Sequence, residues 1–345
     1  MRNRKLRILV CAFCAFLGSG ASAQKTLDPE QFYKGKTMRV IVGYSPGGGY
    51  DVYGRLLADH LPRFLPGAPL ITVQYMPGAA TEVATAYILN AAPQDGTVIG
   101  IPVSSLAMSN LIFRKPGEAG IDIAKMRWLG RLDSIDIVSI VWSETGVTKV
   151  EDTRSRPLAF GATATTSGTY LVPTILNQLG KSNFKLVLGY RGTSDAYLAM
   201  ERREIDGIHN GVWSQLKRSH REWLRTNKIN VIYQAAAKRA EDLANVPTII
   251  ELADNEDDRR MFSLFASEAT LGRTFYVSDS VPPELIAALR QAFWRMATDK
   301  TFLEAAAKLD TPINPLPGEE VEKIVANMIG YSPLIFERIR QLTTK

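Results

Sequence analysis

Tyr44-Ser45-Pro46-Gly47-Gly48-Gly49-Tyr50-Asp51 places three consecutive glycines between a β-branched run and an amphipathic one. Glycines let the backbone approach a ligand closely, and a helix starting there offers unpaired N–H groups and a positive dipole end to an anion. Two nucleotide-binding patterns fail. A dinucleotide fingerprint G-x-G-x-x-G begun at Gly47 needs glycine at the position held by Val52. A phosphate loop G-x-x-x-x-G-K-[ST] is met from Gly49 to Gly54, but Arg55 and Leu56 then stand where lysine and a hydroxyl must contact phosphate and magnesium. Some other anion remains, beside the plainer alternative of a glycine turn that only reverses the chain. Asp51, whose carboxylate would repel an anion, is expected to cap the helix.

Few other residues combine into a reactive group. Of the histidines, His60 falls on an expected helix and His220 in a basic run, which leaves His209 in "DGIHNG" as the one candidate general base. A strand-end or hinge position explains His209 more simply. No ligands cluster at metal spacing. The expectation is therefore no catalytic residue, no metal and no cofactor. "KRSHREWLR", residues 217–225, reads as a solvated helix face, and Trp142 and Trp213 as core or cleft-wall residues.

The first residues have to be set apart before charge is weighed. Arg2, Arg4, Lys5 and Arg7, the apolar stretch Ile8 to Leu17, and Ala21-Ser22-Ala23 read as an export signal over residues 1–23. Its loss takes four of the 41 Lys and Arg and none of the 35 acids, leaving 37 against 35, a net charge of +2 instead of +6. The basicity thus belongs mostly to the signal, and nucleic acid is not an expected partner. Cys11 and Cys14 leave with it, so the mature chain has no thiol chemistry.

The elements around the glycines alternate. Met38 to Tyr44, Leu70 to Gln74 and Thr97 to Val103 read as strands, with helices over Asp51 to Leu61 and Thr81 to Asn90 between them. A second such series follows: strands at Ile137 to Trp142, Leu158 to Gly161, Lys185 to Leu188, Asp206 to His209 and Asn230 to Tyr233, with helices at Tyr170 to Leu179 and Ser194 to Arg202. Helices close the chain: from Pro282 to Met296, Lys300 to Leu309 and one or two within Glu319 to Leu342. Strand–helix alternation predicts an α/β fold with mainly parallel sheets flanked by helices. The 322 residues left when 23 are removed from 345 exceed what one core usually serves, which predicts two lobes.

Several spaced stretches share a resemblance. "FYKGKTMRVIVGYSPGGGYDVYGRLLADHL", "YMPGAATEVATAYI", "APQDGTVIG", "GYRGTSDAYLAMERREID", "ANVPTIIEL" and "VSDSVPPELIAALRQAF" resemble, in that order, the landmarks of the periplasmic receptors of tripartite tricarboxylate transporters, the TctC or Bug receptors. The resemblance spans the mature chain. It implies a two-lobed, periplasmic-binding-protein type II fold, with lobe 1 formed by residues 24–133 plus 246–345 and lobe 2 by 134–245. It also implies a non-catalytic periplasmic receptor that captures a small organic carboxylate and delivers it, as a monomer, to membrane permease subunits. A signalling partner, or an enzyme on the same fold, are the alternatives.

The resemblance further implies positions. Tyr44, Ser45, Gly47, Gly48, Gly49 and Tyr50, the loop Pro77, Gly78 and Ala79, and Ser104 would serve the ligand from the first lobe. Thr165, Thr166, Ser167 and Gly168, with Tyr190, Gly192, Thr193 and Ser194, would serve it from the second. Tyr50, Tyr170 and Arg191 depart from the family, which commonly has a smaller residue, histidine and lysine there. Hydrogen bonds to a charged group contribute about 1.5–3 kcal/mol each, so four or five amide and hydroxyl contacts reach the roughly 8 kcal/mol of micromolar binding. On that reckoning no buried arginine is required.

Overall fold

The computed structural model describes residues 27–113 and 121–344; the export segment 1–23 and the turn at Lys115-Pro116-Gly117 lie outside the described residues. In chain order the strands are β1 Thr37–Val42, β2 Leu70–Tyr75, β3 Val98–Ile101, β4 Met126–Arg131, β5 Ile137–Trp142, β6 Leu158–Ala162, β7 Phe184–Leu188, β8 Gly207–Val212, β9 Ile229–Gln234, β10 Thr274–Ser278 and β11 Leu316–Pro317. They form two sheets, β11-β4-β10-β3-β1-β2 and β7-β6-β8-β5-β9. All strands of the second sheet come from one continuous stretch, and the chain returns to complete the first.

Each sheet has a parallel part built by helical crossovers. Helices Gly49–His60 and Glu82–Asn90 connect β1 to β2 and β2 to β3, and Gly168–Gln178 and Thr193–Glu201 do the same for β6, β7 and β8. Such crossovers bury both faces, which is why β3 is apolar and buried throughout. The rest of each sheet is antiparallel. Sheets that are mixed differ from the mainly parallel ones the sequence predicts. A strand that leaves for the other sheet, β4, and one that returns, β10, run in opposite directions and pair without a crossover.

The core lies in three layers. Helices Gly49–His60, Pro283–Ala297 and Lys300–Lys308 cover one face of the first sheet through Tyr53, Leu57, Leu289, Phe293 and Phe302. On its other face the packing continues from Ile88 and Met108 through Phe262 and Phe265 to Phe160 and Leu171 of the second sheet's layer. Trp142, Tyr197, Trp213 and Trp223 fill the third. Trp223 is therefore core, its ring 4.8 Å from Trp142, and the basic run 217–225 is two short helices rather than one solvated face. Helix Glu256–Leu271, absent from the sequence reading, is capped by Asn255, whose side chain accepts the Asp258 N–H at 2.9 Å.

Candidate functional site

Beyond β1 the chain turns through Gly47, whose φ of +89° is a left-handed conformation that glycine adopts freely. The helix cap is Gly48, not Asp51. Asp51 lies one turn in and its Oδ2 reaches back to accept the Gly47 N–H at 2.8 Å, while Oδ1 accepts from Arg55 Nε at 2.7 Å and the Tyr75 hydroxyl at 2.6 Å. Burial pushes the Asp51 carboxyl up, but the Tyr75, Gly47 and Arg55 hydrogen bonds outweigh it and hold its pKa below the usual range. The loop is thus braced from behind, and the first helical amides of Gly49–His60 face the cleft without intrahelical acceptors.

At two of these glycines a side chain would crowd groups that come from elsewhere in the chain. A side-chain carbon at Gly48 would stand 3.3 Å from Ser194 Oγ, and one at Gly49 would stand 2.9 Å from Arg273 Nη2 and 3.2 Å from Gln215 Oε1. Gly192 caps the helix Thr193–Glu201 and lies against Tyr44. Ser167 caps the third converging helix, Gly168–Gln178, within a cluster of hydroxyls: Thr163 Oγ1 is 2.9 Å from Ser167 Oγ and 3.1 Å from Thr169 Oγ1. Together these helix starts enclose about 540 Å³ of empty space, open mouth included.

Of the residues singled out in the sequence, Tyr44, Ser45, Gly48, Gly49, Tyr50, Gly192, Thr193 and Ser194 line this cavity. Gly47, Pro77, Gly78, Ala79, Ser104, Thr165, Thr166, Ser167, Gly168 and Tyr190 lie outside its lining. Several of these have visible work elsewhere. After Gly78 the chain passes through left-handed Ala79, Ala80 and Thr81, and Thr81 Oγ1 accepts the Val103 N–H at 3.0 Å. The next residue, Glu82, accepts from the Thr166 hydroxyl and so links the two walls. The Ser104 N–H donates to the Tyr50 hydroxyl at 3.0 Å. Tyr190 packs over Gly161.

Val103, Thr163, Thr169, Asn210, Val212 and Arg273 also line the cavity, and sequence reasoning missed them. Arg273 matters most. It is 2% exposed, its guanidinium lies 4.0 Å above the centre of the Tyr50 ring, its Nε has no hydrogen-bond partner, and it forms no ion pair among the described residues. Tyr44 stacks on Tyr50 with ring centres 4.9 Å apart. Behind the lining, Glu268 is 1% exposed, and its Oε1 accepts from Ser104 Oγ at 2.8 Å and Asn210 Nδ2 at 3.2 Å. Burial pushes its pKa up to about 7, against the lowering effect of those hydrogen bonds and of Arg273. Asn210 carries a left-handed φ of +69°, a local strain of the kind that gathers at functional sites.

His209 is not in the cleft. It is 1% exposed within β8, its Nδ1 is 3.0 Å from the Tyr233 hydroxyl, and desolvation pushes its pKa down to about 3. It is a neutral core residue without access to a cleft ligand. No group of His, Cys, Asp and Glu that could hold a metal occurs among the described residues. No described helix is long and apolar enough to cross a membrane.

No family model matches the chain. The periplasmic binding protein BugD superposes with a TM-score of 0.68 over 90% of this chain and 98% of its own, at 15% identity. The fold is that of a periplasmic binding protein. MatC from Rhodopseudomonas palustris, solved with bound malate, shares it with a TM-score of 0.63 at 17% identity, covering 86% of this chain and 98% of that one. Among curated proteins, the "UPF0065 protein in gbd 5'region" of Cupriavidus necator is 21% identical over 340 residues, 96% of this chain and 95% of that protein.

Proposed function

We propose that the chain is an exported, periplasmic receptor that captures a small organic carboxylate and presents it to the membrane permease of a tripartite tricarboxylate-type transporter. The observation that carries this reading is the convergence on a single cavity of the starts of helices Gly49–His60 and Thr193–Glu201 and of one buried guanidinium that has no ion-pair partner among the described residues. Each helix start adds positive potential and free amides, and Arg273 adds a full charge that no carboxylate contacts directly among the described residues. Ligand contacts are assigned to Ser45, Gly48, Gly49, Thr193, Ser194 and Arg273, with Tyr44 and Tyr50 as walls.

Malate in the MatC cleft and the sequence resemblance support the carboxylate, and the export segment supports the compartment. The strands of the second sheet, all between residues 137 and 234, support lobes of 24–133 plus 246–345 and of 134–245. Binding without turnover is favoured because no nucleophile–base pair faces the cavity and His209 is walled into the core. A thermal-denaturation panel of carboxylic acids tests the function. A ligand at 100-fold its dissociation constant stabilises by about 2.7 kcal/mol, so a true ligand raises the melting temperature measurably. If no acid in a broad panel does so, the proposal fails.

A further inference from the structure

The cavity is electrically lopsided. At one end Arg273 lies beside Gly49, at the start of helix Gly49–His60, with its Nε unpartnered and no carboxylate in ion-pair range among the described residues. The Asp133 and Glu268 carboxyls feel this charge through space but neither pairs with it, so a ligand carboxylate can still complete it, and Tyr50 beneath it holds the guanidinium in place. Away from Gly49, behind the lining residues Thr169 and Asn210, the start of helix Gly168–Gln178 already has an anion-bearing neighbour. A side-chain carbon at Gly168 would stand 2.8 Å from Glu268 Oε2, so the protein's own carboxylate lies against that helix's first residue. Ser104 and Asn210 fix it there.

We infer that the cleft selects acids with a single carboxylate, bound at the Arg273 end, and rejects those carrying a second carboxylate toward Glu268. This deepens the receptor reading and rests on it. The helix dipole that would attract a second ligand carboxylate is spent on Glu268, and two carboxylates sharing one buried site repel each other. The stretch between the ends is walled by Tyr44, Val103 and Val212, which suits an apolar body. A hydroxyl or amide donor at the far end is compatible with Glu268; another anion is not.

Titration calorimetry on the full mature chain, with acids paired by length, decides the matter: butyrate against succinate, and hexanoate against adipate. At about pH 8, where Glu268 carries its charge, each monoacid is expected to bind about tenfold or more tightly than its diacid. Glu268→Gln should shrink that ratio to about threefold or less by admitting the diacid, and Arg273→Gln should weaken the monoacid by about tenfold or more. A merely structural role for Glu268 would lower the melting temperature without changing the ratio. Diacids that bind wild type as tightly as monoacids, or a ratio that Glu268→Gln leaves unaltered, overturn the inference while leaving the receptor reading intact. Should the variants fail to fold, the wild-type comparison decides alone. If neither class binds, the receptor reading falls and this inference with it.

Discussion

Gly48 meets Ser194 across the cleft at 3.3 Å from where a side chain would begin, and its φ of −85° is open to any residue. Gly48→Val should therefore fold with nearly unchanged stability while weakening ligand binding by about tenfold or more, because the added carbons hold the walls apart. Unchanged affinity by calorimetry would remove the loop from the site. Buried acids give a second prediction at this scale. Burial raises both Glu268 and Asp133 to about 7, the latter despite a hydrogen bond from the Tyr53 hydroxyl at 3.0 Å. Because the folded values lie above the unfolded ones, the stability they contribute is complete below about pH 4 and is lost as pH rises through 7. The unliganded protein should melt at a higher temperature at about pH 5 than at about pH 8, by an amount on the order of 3 kcal/mol per acid, and Glu268→Gln should flatten that slope. The glycines were legible because a bare backbone has a steric meaning that any sequence displays. Arg273 and Glu268 were not: each is a single charged residue far along the chain, and only the return crossing brings them to the first sheet's loops.

Among the elements, those built by crossovers were legible, since β-branched runs alternating with amphipathic ones have distinct periods. Ile137–Trp142 matches its expected bounds, and the cleft helices begin within two residues of theirs. Among the elements missed, β4, β10, β11 and helix Glu256–Leu271 belong to the antiparallel and crossing parts, where pairing depends on distant chain and not on local pattern. One pair of elements also carries a prediction. The Thr166 hydroxyl donates to Glu82, joining the loop before helix Gly168–Gln178 to the first residue of helix Glu82–Asn90. Thr166→Val removes a bond that exists only when the walls meet. It should weaken ligand binding by about three- to tenfold with little change in the unliganded melting temperature, since one hydrogen bond is worth about 0.5–1.5 kcal/mol. An equal loss in melting temperature would mean that the bond serves the fold and not the closure.

At the scale of the molecule, two sheets meet over a cleft whose walls already touch at Gly48 with Ser194, Gly192 with Tyr44 and Glu82 with Thr166. The polar part of the lining is main-chain amide, hydroxyl, the Asn210 carboxamide and one guanidinium, a composition suited to holding an anion, beside an apolar wall of Val103 and Val212. The two-lobed α/β architecture was legible from length and alternation; the polarity of the cleft was not, because it arises from charges supplied by the returning chain. The decisive measurement is a crystal structure of the complex with the acid that gives the largest thermal stabilisation. It should show the carboxylate within hydrogen-bond distance of Arg273 and of amides at the start of helix Gly49–His60. An acid seated elsewhere, or turned with its carboxylate away from Arg273, would contradict the account.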